Sequence, residues 1–389
     1  MKLAVVMSHA IQYQVPLLRK IAAAKDMKLM VYFNWDFGVR ETLDTQFGQK
    51  VKWDIPLLDG YAYKFLKNIS PKPSSNFWGQ MNFGIVPELI RNRYDAVLLF
   101  GWNLFTNWLV FLVAPLVGTR VILQGESPLS HELTKKEYSL FARKLIFGIL
   151  FRIVGKFLYI GEENRKFYEY YGVPEKKLLF APYAVENDRL FAASDELKGK
   201  KPELRKEFGI KENHSVILFV GKFIEKKRPM DLLKACGLLT SNPIIVFVGD
   251  GVLRPEMENY IKVHNLNNVR IVGFKNQTEL PKFYALADIF VLPSGIGETW
   301  GLVTNEAMCF GLPVIVSEMV GCGADLVKSG ENGFIFPVGD IEKLAGHISF
   351  LLSDEKRRIE FGKRSRKIIS AYSQEADVRA ILEAMGSKK

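Results

Sequence analysis

Cysteine is scarce in this chain: Cys236, Cys309 and Cys322 are the three in 389 residues, in separate segments and without metal-site spacing. A disulfide framework is therefore not expected, and a reducing compartment is the natural setting. Long apolar runs are missing too. The longest, LFTNWLVFLVAPLVG, is interrupted by Asn107 and Pro115 and falls short of the roughly 20 residues a membrane-spanning helix needs. The opening MKLAVVMSHAIQYQ has no basic head or small-residue cleavage site, so export by a signal peptide is not expected. There is no internal repeat, no low-complexity tract, no full GxGxxG and no P-loop. Together these absences point to a cytoplasmic protein.

What is present is an ordinary globular composition, long enough for two domains that each bury a core. The net charge of +11 favours acidic partners: anionic lipid, nucleic acid or phosphorylated substrates. Short runs rich in Val, Ile and Phe recur, from KLAVVMS, MKLMVYF, DAVLLFG, RVILQG and KFLYIG to SVILFVGK, PIIVFVGD, VRIVGF, DIFVLPS and PVIVS. Helical stretches separate many of them. This is the rhythm of parallel sheets covered on both faces, whose buried strands lose the in-out alternation. The expected fold is α/β with two Rossmann-like doubly wound domains. The polar stretch from Ser194 to about 213 reads as a linker between domains at 1–193 and 214–371. A last helix, about 372–389, is expected to pack back on the first domain.

Ligands of such sheets bind beyond the carboxyl ends of the strands, and the residues with chemical potential follow strands here. Glu298 and Glu306 are separated by seven residues, one in a loop and one inside the helix that begins near Gly301. The intervening helix covers about 7 to 8 Å and offers an anion its free N–H groups. Hydroxyl, anion, hydroxyl is the order of groups this favours, and a nucleotide-sugar has it. Lys222 and Lys227 in GKFIEKKRP are placed to neutralise a diphosphate. Gly249 and Gly273 follow strands and permit close backbone approach. Each has a plainer reading by itself: a solvated basic turn, a structural turn, a helix-start carboxylate favoured by the dipole. Their combination favours a site.

From Val220 to about Asp340 the ordered set VGKFIEKKRP, FVGDG, VGFKNQTELPKFYALADIFVLPS, E-x7-E, GLPVIVS and ENGFIFPVGD resembles the donor domain of retaining glycosyltransferases of family 4. The resemblance implies the GT-B fold, two Rossmann-like domains facing across a cleft. It implies transfer of a hexosyl group from a UDP- or GDP-sugar to a hydroxyl with retention, by front-face displacement, without a metal or cofactor. Glu298 then contacts the donor sugar, Glu306 binds the ribose, and Lys222 and Lys227 hold the diphosphate. Amides around Thr299, Trp300, Gly301 and Leu302 hold the same group, with Gly249 nearby. Gly273, Phe274 and Lys275 line the base, and Asp250 and Asp288 are structural.

The first half departs from the common pattern, with Ser8-His9-Ala10-Ile11-Gln12-Tyr13 in place of a glycine-rich loop and Glu126-Ser127 where relatives carry histidine. Glu126 is the catalytic candidate on that side. His9, Gln12, Tyr13 and Ser127 are acceptor-side candidates, with His131 a further histidine. SHAIQYQVPLLR, FGVRE and VKWDIPLL resemble polysaccharide-assembly enzymes, which implies an envelope or surface glycan acceptor, or a lipid-linked one. Two readings bear on the stretch 135–161, where Lys and Arg interleave with large apolar residues: a sheet-covering core helix, or an amphipathic helix lying on an anionic membrane. The excess positive charge favours the membrane, and with it a protein peripheral on the inner face. Competing functions are a sugar-nucleotide epimerase of the same architecture and a non-catalytic nucleotide- or nucleic-acid-binding protein. No basic-aromatic reading motif supports binding of nucleic acid.

Overall fold

A computed structural model describes residues 1–39, 42–44 and 49–386 of the chain. Arg40 and Glu41 of the FGVRE motif and the last three residues of the expected terminal helix lie outside them. Contacts divide the chain into two compact units, one made of 1–42, 55–183 and 374–389, the other of 43–54 and 184–373.

The first unit is built on seven parallel strands in the order Tyr63–Phe65, Lys28–Phe33, Lys2–Met7, Ala96–Phe100, Arg120–Gln124, Lys156–Tyr159, Leu178–Phe180. Leu3, Ala4, Val5 and Val6 are all fully buried, because helices cover both sheet faces and leave no polar side for alternation. Leu3 pairs with Leu29 on one side and Ala96 on the other, so strand order reverses at the first strand. Loops leaving Met7 and Phe100 therefore flank the switch point. The helix Gln374–Ala384 packs on the helix Val15–Ala22 and on the last two strands.

That terminal helix carries Asp377, buried with Oδ1 unpartnered. Burial pushes its carboxyl up to about 8. A folded-state value above the unfolded one means the native state holds the proton longer, so stability falls as pH rises from about 4 to 8. Asp377→Asn is accordingly expected to flatten the pH dependence across that window. It should raise stability at pH 8 by about 1–3 kcal/mol, read from urea unfolding at several pH values.

Six parallel strands form the second unit, in the order Val269–Gly273, Ile244–Val248, Val216–Val220, Ile289–Leu292, Val314–Ser317, Gly333–Phe336. This is the 3-2-1-4-5-6 order of a nucleotide-binding sheet. Its switch point lies between Val216–Val220 and Ile289–Leu292, paired through Ile217 to Ile289 and Leu218 to Phe290. Asp288, just before the second of these strands, accepts from Lys201 at 2.6 Å, from the Val216 amide at 2.7 Å and from Arg205. Burial works against its charge, and Lys201 and Arg205 outweigh that cost and hold the carboxyl low.

The same contacts correct the expected linker. Residues 194–213 include the helix Lys201–Glu207, whose Leu204 and Arg205 are buried in the second unit, and the changeover between units falls at Tyr183–Ala184. Two of its charges, Lys201 and Arg205, are engaged in ion pairs with Asp288, while Glu203, Lys206 and Glu207 stay exposed.

Candidate donor site

The two switch-point strands of the second unit end in the loops that hold the predicted charged residues. Val220 leads into Gly221 and Lys222, and Leu292 leads into Ser294 through Trp300. The Gly295 amide donates to the Lys226 carbonyl at 2.8 Å, tying the loops together. Across this tie Lys227 forms an ion pair with Glu298, their side chains only 15% and 8% exposed. Burial raises the cost of the Glu298 charge; Lys227 and then Lys226 outweigh it, and the carboxyl sits below its usual range. The contact is thus preformed, with the Glu298 carboxylate ionised at neutral pH. Arg228, in the left-handed region at φ 49°, turns the chain into the helix Pro229–Cys236 and is anchored by Asp231 at 2.6 Å.

Glu298 is followed within four residues by the helix Leu302–Cys309, whose start carries no side-chain cap. Gly301 enters it at φ 96°, and a Cβ there would press on Leu292 and Val320 at 2.9 and 3.0 Å. Only glycine lets the helix start this close to the strand. The indole of Trp300 is buried and donates to Asn305 Oδ1 at 3.0 Å, while its carbonyl accepts from Cys322. Trp300 therefore reads as a brace for the helix entrance, with Thr299 half-buried before it. Glu306 is 1% exposed and accepts from the Tyr284 hydroxyl at 2.6 Å. The plainer reading of Glu306, a solvated carboxylate favoured by the helix dipole, does not survive this burial. Tyr284 escaped the sequence reading, since a tyrosine just before ALADIF carries no sign of the carboxylate it meets.

The glycines mark close backbone approaches. Gly249 has φ 146°, and a Cβ on it would stand 1.9 Å from the Gly221 carbonyl oxygen. Gly273 lies at φ 84° and accepts from the Gly249 amide at 2.9 Å, so three strand ends are bound edge to edge. Phe274 contacts Trp53, ring centroids 6.2 Å apart, and Lys275 pairs with Glu279 at 3.1 Å. Asp250 is held by Arg254 at 2.8 Å.

In the first unit Ser8 and His9 leave the first strand at its switch point. Their side chains share a 2.9 Å hydrogen bond, and His9 packs edge-on against Phe37. Burial pushes the His9 imidazole down to about 4, so it is neutral at pH 7. Glu126 follows Gly125, whose amide donates to Tyr168 at 2.8 Å and whose missing side chain makes room for Trp102. Tyr183 shares hydrogen bonds with Glu126 and Gln14 and lies close to Tyr13, with burial first and then Glu126 raising its hydroxyl well above the ordinary range. Glu126, Gln14, Tyr13 and Tyr183 thus form one polar cluster. Gln12 is half-buried beside it in sequence, whereas Ser127 serves the fold through its carbonyl, which accepts from Asn164. His131 is buried on a short helix, its carbonyl capping Thr134. Gln14 was missed although it lies in SHAIQYQVPLLR, where nothing sets it apart from Gln12 and Tyr13, and Tyr183 was missed because a lone tyrosine far along the chain carries no sign of Glu126.

The comparisons with known proteins agree with this fold. Residues 200–368 match the family described as Glycosyl transferases group 1. Spore coat protein SA of Bacillus subtilis (strain 168) is 32% identical over 180 residues, 43% of this chain and 47% of that protein. N-acetyl-alpha-D-glucosaminyl L-malate synthase of Bacillus anthracis is 30% identical over 176 residues, 44% of each. The matched stretches thus span under half the length of these relatives. Over whole chains, the Anabaena Alr3699/HepE structure in complex with UDP and glucose superposes with a TM-score of 0.74 at 17% identity, covering 100% of both. The fold is GT-B.

Proposed function

We propose that this protein is a retaining glycosyltransferase that moves a hexosyl group from a nucleoside diphosphate sugar to a hydroxyl of a glycan or lipid-linked acceptor. The observation that carries the reading is the buried Lys227–Glu298 pair at the switch point, beside the uncapped start of a helix that buries Glu306. In this reading Lys222, Lys227 and the amides at 299–302 take the diphosphate. Glu298 receives donor-sugar hydroxyls, Glu306 the ribose, and Gly273, Phe274 and Lys275 the base. The bond from the anomeric carbon to the diphosphate breaks as the acceptor oxygen bonds to that carbon on the same face. The acceptor proton passes to the departing diphosphate oxygen, so no protein nucleophile is needed, and neither a metal nor a cofactor enters the proposal.

UDP-sugars are the first donors to test, because a protein of the same fold is described with UDP and glucose. Thermal unfolding across UDP- and GDP-sugars should single out one nucleotide, since a ligand at a hundred times its Kd stabilises the native state by about 2.7 kcal/mol. Product analysis then separates transfer from the competing epimerase reading; an epimerised donor without transfer would overturn the proposal.

On the acceptor side, Glu126 is assigned to orient the incoming hydroxyl, held by Tyr183. Glu126→Gln is expected to lower kcat about tenfold to a hundredfold with little change in donor affinity. Undiminished turnover would remove Glu126 from the site. The acceptor is placed at the inner face of a membrane in envelope or surface polysaccharide synthesis.

A further inference from the structure

The helix Glu137–Ile153 has two apolar faces, and the fold uses one. Phe147, Leu150 and Phe151 are buried, with Phe147 edge-on to Trp102 at 5.2 Å and to Tyr171 at 4.8 Å. On the opposite side Tyr138, Phe141, Leu145 and Ile149 form a stripe at helical spacing, exposed by 73, 68, 58 and 72%. A helix covering a sheet ordinarily turns polar residues outward. Here the outward face is large and apolar, and Ile146 and Ile153 widen it. The helix Phe105–Leu116, which packs against this one, adds Leu112 and Leu116 at 64 and 85% exposure.

The charges around the stripe are nearly all of one sign. Among the 17 residues of the helix Glu137 is the only acid, against Arg143, Lys144 and Arg152, with Lys135 and Lys136 just before it. Arg143 and Lys135 are engaged by the buried Glu132, while Lys136, Lys144 and Arg152 are exposed. A contiguous apolar face of this extent marks an interaction surface. A protein partner would favour an interface core poor in lysine, whereas bulky apolar residues flanked by cations suit the boundary between lipid headgroups and acyl chains. Among the described residues no helix is long and apolar enough to cross a membrane.

We infer that the outward face of Glu137–Ile153, together with Leu112 and Leu116, docks on an anionic phospholipid surface with the helix lying in the plane of the interface. This gives the membrane placement of the proposed function its surface and lipid class, and rests on that reading only for its purpose. The test needs no sugar. The full chain is floated with vesicles of phosphatidylglycerol and phosphatidylcholine in equal parts, and with phosphatidylcholine alone. It should rise with the anionic vesicles, much less with the neutral ones, and less again at high salt. Phe141→Ser/Leu145→Ser/Ile149→Ser should lower partitioning on the order of a hundredfold. Lys136→Gln/Lys144→Gln/Arg152→Gln should lower it roughly tenfold or more. Since these side chains are exposed, thermal unfolding of both variants should match the parent, and UDP-sugar stabilisation should persist. A parent that stays in the soluble fraction with anionic vesicles overturns the inference, as do apolar variants that float like the parent. So does a dimer in sedimentation equilibrium that the apolar variant splits, which would show a second copy covering the face. Flotation without any donor response would sink the transferase reading and leave the docking intact.

Discussion

Lys227→Met is expected to lower kcat/KM for sugar transfer by roughly two to three orders of magnitude, about 3 to 4 kcal/mol of transition-state stabilisation. The reason lies in where the ammonium sits. It is largely buried at the sheet's switch point, bonded to Glu298, so it meets negative charge developing on a leaving diphosphate without first shedding a full water shell. The same substitution carries a folding penalty, because Glu298 is left buried without its principal partner, at about 3 kcal/mol. The two effects separate in Lys227→Met/Glu298→Gln. That double variant should recover most of the stability and none of the activity, read by urea unfolding beside initial rates. Acid gives a second check. The Glu298 carboxyl titrates below its ordinary 4.5, so the pair's contribution is present above that value and is lost as pH falls through the lower folded one. A Lys227→Met enzyme with rates near the parent's would remove Lys227 from the chemistry.

Gly249→Ala is expected to be the most damaging single change to the donor domain, at about 4 kcal/mol or more. Two costs combine. The backbone lies at φ 146°, a region closed to side chains, and the added carbon would stand 1.9 Å from the Gly221 carbonyl oxygen. Relief requires parting the strand ends at 220 and 248, which are bonded through the Gly221 amide at 3.0 Å. Because Gly221 opens the lysine loop, the damage should reach the site even where the protein still folds. Urea unfolding reads the stability, and loss of UDP-sugar stabilisation in the surviving native protein reads the site. An alanine variant of parental stability would contradict this geometry.

The second unit was the more legible half for a physical reason. Its buried strands are continuous Val, Ile and Phe runs, and its charged loops directly follow them, so strand ends and chemistry could be read from one pattern. Short edge strands were not readable: Tyr63–Phe65 is largely exposed and Leu178–Phe180 is only three residues long, too little for any periodicity. The stretch at 194–213 misled because Lys201 and Arg205 look solvated in sequence, while their partner Asp288 lies more than eighty residues away. Tyr284 on Glu306 and Tyr183 on Glu126 were hidden likewise. A carboxylate announces itself, but the hydroxyl that holds it comes from another segment. In 135–161 both the core and the membrane readings require apolar residues, and only the excess of positive charge leaned the sequence toward the membrane; the helix Glu137–Ile153 buries one apolar face and exposes another.

The helix Gln374–Ala384 has a bearing on how the molecule is made. It belongs to the first unit, yet a ribosome reaches it only after all of the second unit has been synthesised. Domains commonly fold in order of emergence, but here the first unit must wait, with the surface of the helix Val15–Ala22 and of the strands Lys156–Tyr159 and Leu178–Phe180 that Ile381 and Ala384 help to cover still open to water. The second unit can mature first, and the first closes last. Chaperone demand during translation should therefore fall on the amino-terminal segment, and ribosome-stalled chains ending before Gln374 should show protease-sensitive cuts there while the donor domain resists.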